Sequence, residues 1–274
     1  MTKLRACAAD LLPPLLAGMV LVLAYMALRA QLEPHRLFLM PSLDGLWSQA
    51  FSRPDVLTAL AQAAAMTLAI ALAGLCISIP AGMVLGIVMF RLRALERAIL
   101  PYLVALQSLP VLAIVPLLQT AFGYGVLPKV LVVALFTFFA IPTTLLLGLK
   151  SMDRGVLDLF RLQRANWLVT LWKAGLPSAA PTLFAGLRLS ASLAVIGAIV
   201  SELFFMSGSG GLGQMLVNTK LDFKYEQMYA ALIAASLLSI LVHAAFGWLG
   251  NCLFAHWHES GGPARAAPLK GLAS

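Results

Sequence analysis

The chain has 274 residues, of which 61% are hydrophobic and 11% charged. A soluble domain of this length carries about a quarter charged residues, so these few charges argue against a water-coated domain and for a membrane protein. The net charge of +8 does not point to nucleic acid, because the basic residues fall between apolar runs, where they report orientation across a bilayer.

In chain order, Lys3 and Arg5 precede an apolar stretch that begins at Leu11. This resembles a signal peptide, but no cleavage site follows, and residues 11–28 are expected to form a first spanning helix. The second apolar run covers 57–90 and is too long for one straight crossing. Its Ala-rich start is read as an interfacial lead-in or part of a tilted helix. A third span is expected over 99–120, a fourth over 127–149, a fifth over 182–205 and a sixth over 229–254. The predicted fold class is all-α, a polytopic membrane protein with six transmembrane helices. Residues 1–56 form an N-terminal helix with an external segment, and 57–254 a core that contains a large loop at 150–181. Residues 255–274 form a tail expected to be disordered.

Charge fixes the orientation. Arg91, Arg93 and Arg97 lie between spans two and three, and Lys150, Arg154, Arg161, Arg164 and Lys173 between four and five. In a six-span arrangement these share one side with Lys3, Arg5, Arg265 and Lys270. The opposite side receives Arg36, Arg53, Lys129, Lys220 and Lys224, offset by Glu33, Asp44, Asp55, Asp222 and Glu226. The positive-inside rule therefore predicts that both termini are cytoplasmic. Pro80, Pro110, Pro116 and Pro142 interrupt the spans and predict kinks. Gly82 and Gly86 form a small-xxx-small face suited to close helix packing.

The loop at 150–181 reads KSMDRGVLDLFRLQRANWLVTLWKAGLPSAAP. Within it, 156–164 and 167–172 have the make-up of short amphipathic helices, with Leu157, Phe160, Trp167, Leu168, Leu171 and Trp172 apolar and Arg161, Arg164 and Lys173 basic. Either they lie at the membrane surface with their bases snorkelling, or they dock a cytoplasmic protein.

In this loop the sequence resembles the EAA signature of bacterial binding-protein-dependent importer permeases. That motif begins Glu-Ala-Ala, has a glycine six positions after the Glu, and ends in Ile-x-Leu-Pro or a close variant. Here Asp158-Leu159-Phe160 stand at its start, Arg164 at the glycine position and Gly175-Leu176-Pro177 at its end. Leu109-Pro110 with Pro116, Met152-Asp153-Arg154, and LPSAAPTLFAGLRLSASLAVIGAIVSELF followed by GSGGLG at 208–213 look like the nitrate/sulfonate/taurine branch. That branch includes permeases for pyrimidine precursors and riboflavin.

The resemblance spans about 37–248 and implies a type I ABC importer permease fold in a bacterial inner membrane. It implies cytoplasmic ABC ATPase subunits as partners, a second permease copy, surrounding membrane lipid and a periplasmic solute-binding protein that delivers a small solute. Asp158, Phe160, Arg161, Arg164, Trp167, Gly175 and Pro177 are the expected ATPase-coupling residues. No cofactor is expected, since ATP and Mg would be bound by the ATPase.

Glu202 is the only acidic residue deep in an expected span, and so a candidate for either a structural anchor or a gate. Gly208, Gly210, Gly211 and Gly213 lack the Gly-Lys-Ser/Thr ending of a phosphate loop. They are expected to form a tight turn with free backbone amides at the outer mouth. Gln107 and Ser108, with Gln119 and Asn218, are polar groups that either face a cavity or bond between helices. His35, His243, His256 and His258 form no strong metal-ligand spacing, and no catalytic triad or paired-carboxylate pattern stands out. An ion-coupled secondary transporter would want several buried relays and an inverted repeat, and a membrane scaffold would need no coupling loop. Both remain as rivals.

Overall fold

The computed structural model describes residues 2–108, 111–205 and 210–254, and among these the secondary structure is helical. Twelve helices are numbered here in chain order. α1 is Thr2–Ala30, and a short α2, Leu43–Leu46, precedes the long α3, Pro54–Arg91. α4 (Arg93–Ser108) and α5 (Val111–Phe122) lead into α6 (Val126–Phe138) and α7 (Ala140–Lys150). α8 (Arg154–Leu162) and α9 (Trp167–Thr170) precede α10 (Leu176–Phe204), and α11 (Leu212–Leu221) and α12 (Tyr225–Phe254) follow.

Four stretches are long and apolar enough to cross a bilayer: Pro54–Arg91, Val126–Lys150, Trp167–Phe204 and Tyr225–Gly250. They fall on the expected second, fourth, fifth and sixth spans. The second apolar run is one continuous helix of 38 residues, with Pro80 inside it, about 57 Å long at the α-helical rise. The third expected span is divided, with α4 ending at Ser108 and α5 starting at Val111. Leu109 and Pro110 lie outside the described residues. The fourth expected span is divided more subtly. α6 ends at Phe138, whose carbonyl is the one that Pro142 has no N–H to reach, and Phe139 keeps helical angles, so the chain continues into α7.

The expectation of a separate short helix at 167–172 is corrected. α9 runs through a wide turn, Leu171–Gly175, straight into α10, giving one helical stretch from Trp167 to Phe204. The wide turn closes with the Leu176 N–H donating to the Leu171 carbonyl. Pro177 follows immediately and leaves the Lys173 carbonyl without its usual helical donor, the situation in which such turns arise.

α10 lies at the centre of the bundle, packed on α3, α6, α7, α11 and α12. Small residues set the spacing. On α3, a Cβ at Gly82 would come within 2.8 Å of Ile141, and one at Gly86 within 3.1 Å of Leu145 and the Pro142 carbonyl. A Cβ at Gly148 would sit 2.8 Å from the Ala179 Cα. Tight backbone approach of this kind supplies dispersion where lipid offers no hydrophobic drive. Polar bonds tie the same helices: the Thr137 hydroxyl lies 2.7 Å from Ser78 Oγ, and Ser190 Oγ donates to the Thr137 carbonyl at 3.3 Å. The outer faces are apolar, with Val20, Leu21, Val84, Leu237 and Ile240 among the large exposed side chains. Such a surface suits hydrocarbon and not water.

Candidate functional site

Two groups of expected site residues lie at opposite ends of α10. At its C-terminal end Glu202 is fully buried. A carboxylate there is costly unless every lone pair finds a partner. Thr67 of α3 donates its hydroxyl to Glu202 at 3.0 Å, and the Gly213 N–H donates to Glu202 Oε2 at 2.8 Å. The Thr67 oxygen in turn accepts the Leu212 N–H at 2.8 Å.

Leu212 and Gly213 open α11, so the carboxylate and the hydroxyl hold two of the amide groups that a helix start leaves unbonded. The negative charge also suits the positive end of the helix dipole. The glycines make the approach possible. A Cβ at Gly211 would overlap the Glu202 carboxylate and the Thr67 hydroxyl, and one at Gly213 would overlap the Ile199 carbonyl and lie 2.8 Å from the Glu202 Cβ. Of the amides in this segment, those of Leu212 and Gly213 are held, by Thr67 and Glu202 respectively. Gly210 is exposed beside Gln214, and Gly208 lies outside the described residues.

Lys129 belongs to the same cluster and was not legible as such. Counted in the sequence among external loop charges, it lies inside α6 with 1% of its surface exposed. It is close enough to Glu202 for their charges to interact. The only sequence signal was its position beside an apolar run. Gln107 and Asn218 are exposed and Gln119 is half-buried, so none of the three joins the Glu202 cluster. Ser108 is the last residue of α4. His243 bonds Ser192 at 2.8 Å between α12 and α10, and among the described residues no group of His, Cys, Asp and Glu could hold a metal ion. His256 and His258 lie outside the described residues.

At the other end of α10 stands the loop with the EAA-like spacing. Asp153 caps α8, its side chain accepting from the Gly155 N–H at 2.6 Å. The helix ends in a Schellman arrangement: the Ala165 N–H donates to the Phe160 carbonyl at 3.0 Å and the Arg164 N–H to the Arg161 carbonyl at 2.9 Å. This closure requires the residue after the C-cap to be left-handed, a place glycine fills most easily. Arg164 occupies it with φ of 51°. The arginine at the motif's glycine position therefore keeps the glycine's backbone conformation.

α8 has two unlike faces. Leu157 and Phe160 are half-buried and turn toward a cavity of about 740 Å³ beneath the bundle. Leu159 is 52% and Leu162 83% exposed, alongside the Asp158–Arg161 ion pair at 3.1 Å. Trp167 is half-buried, with the Arg91 guanidinium 5.5 Å from its ring centroid. Gly175 is buried against Leu149 and Leu171, and Pro177 sits in the first turn of α10. Of the seven residues, Phe160, Arg161 and Trp167 line one cavity, and the seven do not share one face. Asp158, Leu159 and Leu162 are exposed, Phe160 is half-buried against the cavity, and the exposed Arg161 stands at the cavity's rim.

Known proteins share this arrangement of sequence. Residues 78–253 match the family described as binding-protein-dependent transport system inner membrane component. The chain is 38% identical over 187 residues to the formylaminopyrimidine transport permease protein ThiX of Halalkalibacterium halodurans, covering 68% of this chain and 74% of that one. It is 30% identical over 237 residues to a probable ABC transporter permease protein of Haemophilus influenzae, covering 86% and 94%. The riboflavin transport system permease protein RibX of Chloroflexus aurantiacus is 34% identical over 169 residues, with 62% of each chain covered. In fold, the chain is similar to the MetNI methionine ABC transporter in an inward-facing conformation, with a TM-score of 0.58 and 18% identity, over 73% of this chain and 99% of that one. With more than half of its length matched, the chain belongs to the binding-protein-dependent transport system inner membrane components, the permeases of ABC importers.

Proposed function

We propose that this chain is the membrane-embedded half of an ATP-driven importer whose two working ends are joined by α10. The observation that carries this reading is the single helical stretch from Trp167 to Phe204. One end follows the exposed α8, and the other carries the carboxylate that holds the Gly-rich turn and α11. A push on α8 would travel along a rod of 38 residues, about 57 Å at the helical rise, and tilt the Glu202 anchor. The chain supplies no chemistry of its own in this scheme. ATP and Mg belong to a cytoplasmic ATPase that meets Leu159 and Leu162, and the Asp158–Arg161 pair sets its register.

The finer assignments follow from the same reading. Six crossings result if α1 and the broken pair α4–α5 each traverse the bilayer beside the four long spans, which leaves both termini cytoplasmic in the inner membrane. Two copies would enclose the path, with a periplasmic binding protein delivering the solute to the α11 side. The relatives are named for formylaminopyrimidine, riboflavin and aliphatic sulfonate transport. We take the solute to be a small organic compound of that range, a nitrogen heterocycle or an oxyanion.

Co-purification in detergent with the candidate ATPase tests the reading. A stable complex lost in Leu162→Asp is expected. A full complex with Leu162→Asp, or no complex with the wild-type chain, would leave α8 without its assigned partner.

A further inference from the structure

The cavity of about 740 Å³ lies behind α8, on the side of Leu157 and Phe160 and away from the exposed Leu159 and Leu162. Its walls come from the cytoplasmic end of α3, the start of α4, the end of α7 and the inner side of α8 and α9. Arg93, Arg97, Lys150 and Arg161 supply positive charge against the one carboxylate of Glu96. Glu96 is already paired with Lys150, and Arg161 with Asp158. Arg93 and Arg97 have no carboxylate within ion-pairing distance among the described residues. Apart from Thr170, the remainder of the wall is largely apolar, with Phe90, Leu149, Leu157 and Phe160 prominent.

From this combination we infer that the cavity binds the phosphodiester headgroup of an anionic membrane lipid, with Arg93 and Arg97 on the phosphate and the apolar wall against its glycerol and first acyl carbons. Two arginines in one turn of helix suit forked bonding to phosphate oxygens. A free inorganic anion would use the cations but leave the apolar half of the cavity wet. The volume lies within the range of small-molecule sites. The position also fits: basic pockets between helices at the cytoplasmic surface meet a leaflet that carries anionic lipid. Since Leu157 and Phe160 form one wall, an occupied cavity braces α8 from behind. The inference rests on the cytoplasmic placement of this end, and on neither the solute nor the ATPase.

The full-length permease in neutral detergent is the material for the test. Its thermal midpoint is followed with cardiolipin, with phosphatidylcholine and with inorganic phosphate, and lipid retained through purification is identified by mass spectrometry. The expected result is a rise of several degrees with cardiolipin alone, and anionic lipid retained by the wild type. Arg93→Gln/Arg97→Gln should lose most of that rise and retain several-fold less anionic lipid, while Arg93→Lys/Arg97→Lys keeps most of both. Arg36→Gln, on the opposite side of the protein, should behave as wild type. An equal shift from inorganic phosphate would overturn the amphiphile assignment. An undiminished cardiolipin shift in the double glutamine variant would overturn the site itself. If that variant does not fold, the lysine variant decides the matter by losing or keeping the retained lipid.

Discussion

The two ends of α10 are built on opposite terms. At the Glu202 end the polar groups of Glu202, Thr67, Leu212 and Gly213 are bonded to one another, and two glycines are needed simply for the parts to fit. At the α8 end apolar side chains stand in the open, and an arginine sits in a backbone conformation that favours glycine. The first end is complete within one chain. In the proposed reading the second is completed by the ATPase, which would cover the exposed Leu159 and Leu162. Substitutions at the first end should therefore damage the fold, and substitutions on the exposed face of α8 should damage assembly and leave the fold intact.

The largest expected effect is at Glu202. Glu202→Ala would strand the Gly213 amide and leave the buried Lys129 without the nearby negative charge. The cost is about 1–3 kcal/mol for each buried donor left unsatisfied, here the Gly213 amide and the Thr67 hydroxyl. The thermal midpoint of the purified permease should fall and uptake should be lost together. Glu202→Gln keeps an acceptor for Gly213 and separates hydrogen bonding from charge. If Glu202→Ala melted like the wild type, the contrast between the two ends would be gone. Gly213→Ala should also destabilise, by about 1–3 kcal/mol or more, because its Cβ would meet the Ile199 carbonyl, which belongs to the backbone and has little room to yield.

Next in size is Leu162→Asp. An exposed apolar anchor lost at an interface costs roughly 2 kcal/mol, about a thirtyfold weaker ATPase complex, with no change in the thermal midpoint of the permease alone. Phe160→Asp should behave differently. Phe160 faces the cavity, so its replacement should lower the midpoint of the permease before any partner is added. Equal behaviour of the two variants would mean that the inward and outward faces of α8 are not distinct.

The same contrast explains what the sequence made legible. Long apolar runs announced themselves through composition, so the second, fourth, fifth and sixth spans were readable, and Glu202 stood out as the lone acid deep within one. What it binds was not readable. Thr67 is 135 residues away, and Lys129, at the edge of a span, looked like any loop charge. Glycine spacing hinted at a tight turn, but only three-dimensional packing reveals that the Gly213 amide is taken by a carboxylate from the preceding helix and the Leu212 amide by a hydroxyl of α3. In the loop, amphipathic composition identified α8 but not its orientation, because apolar residues two positions apart, such as Phe160 and Leu162, face different ways on a helix, and both faces of α8 carry an apolar pair. The join of α9 to α10 was not read, since the sequence placed a short helix at 167–172 and the fifth span at 182–205, whereas the wide turn at Leu171–Gly175 carries the helix through from one to the other.

The smallest expected effect is the most specific. Arg164 holds φ of 51° so that the Ala165 and Arg164 amides can close α8. A non-glycine residue in that conformation gives up about 1–2 kcal/mol, while glycine costs roughly 0.5–1 kcal/mol more in lost unfolded-chain freedom. Arg164→Gly should therefore gain on the order of 0.5–1 kcal/mol locally, slowing amide exchange at Ala165 by about two- to fivefold. Arg164→Ala keeps the strained backbone and loses the charge, so it should gain nothing at Ala165. If both variants slowed exchange alike, the guanidinium and not the backbone would be the source of strain. If Arg164→Gly tightened the turn yet weakened the ATPase complex, the arginine would be kept for its outward charge, at the expense of the turn that carries it. A complex unchanged in both variants would leave Arg164 as a backbone position alone, with Leu159 and Leu162 carrying the contact.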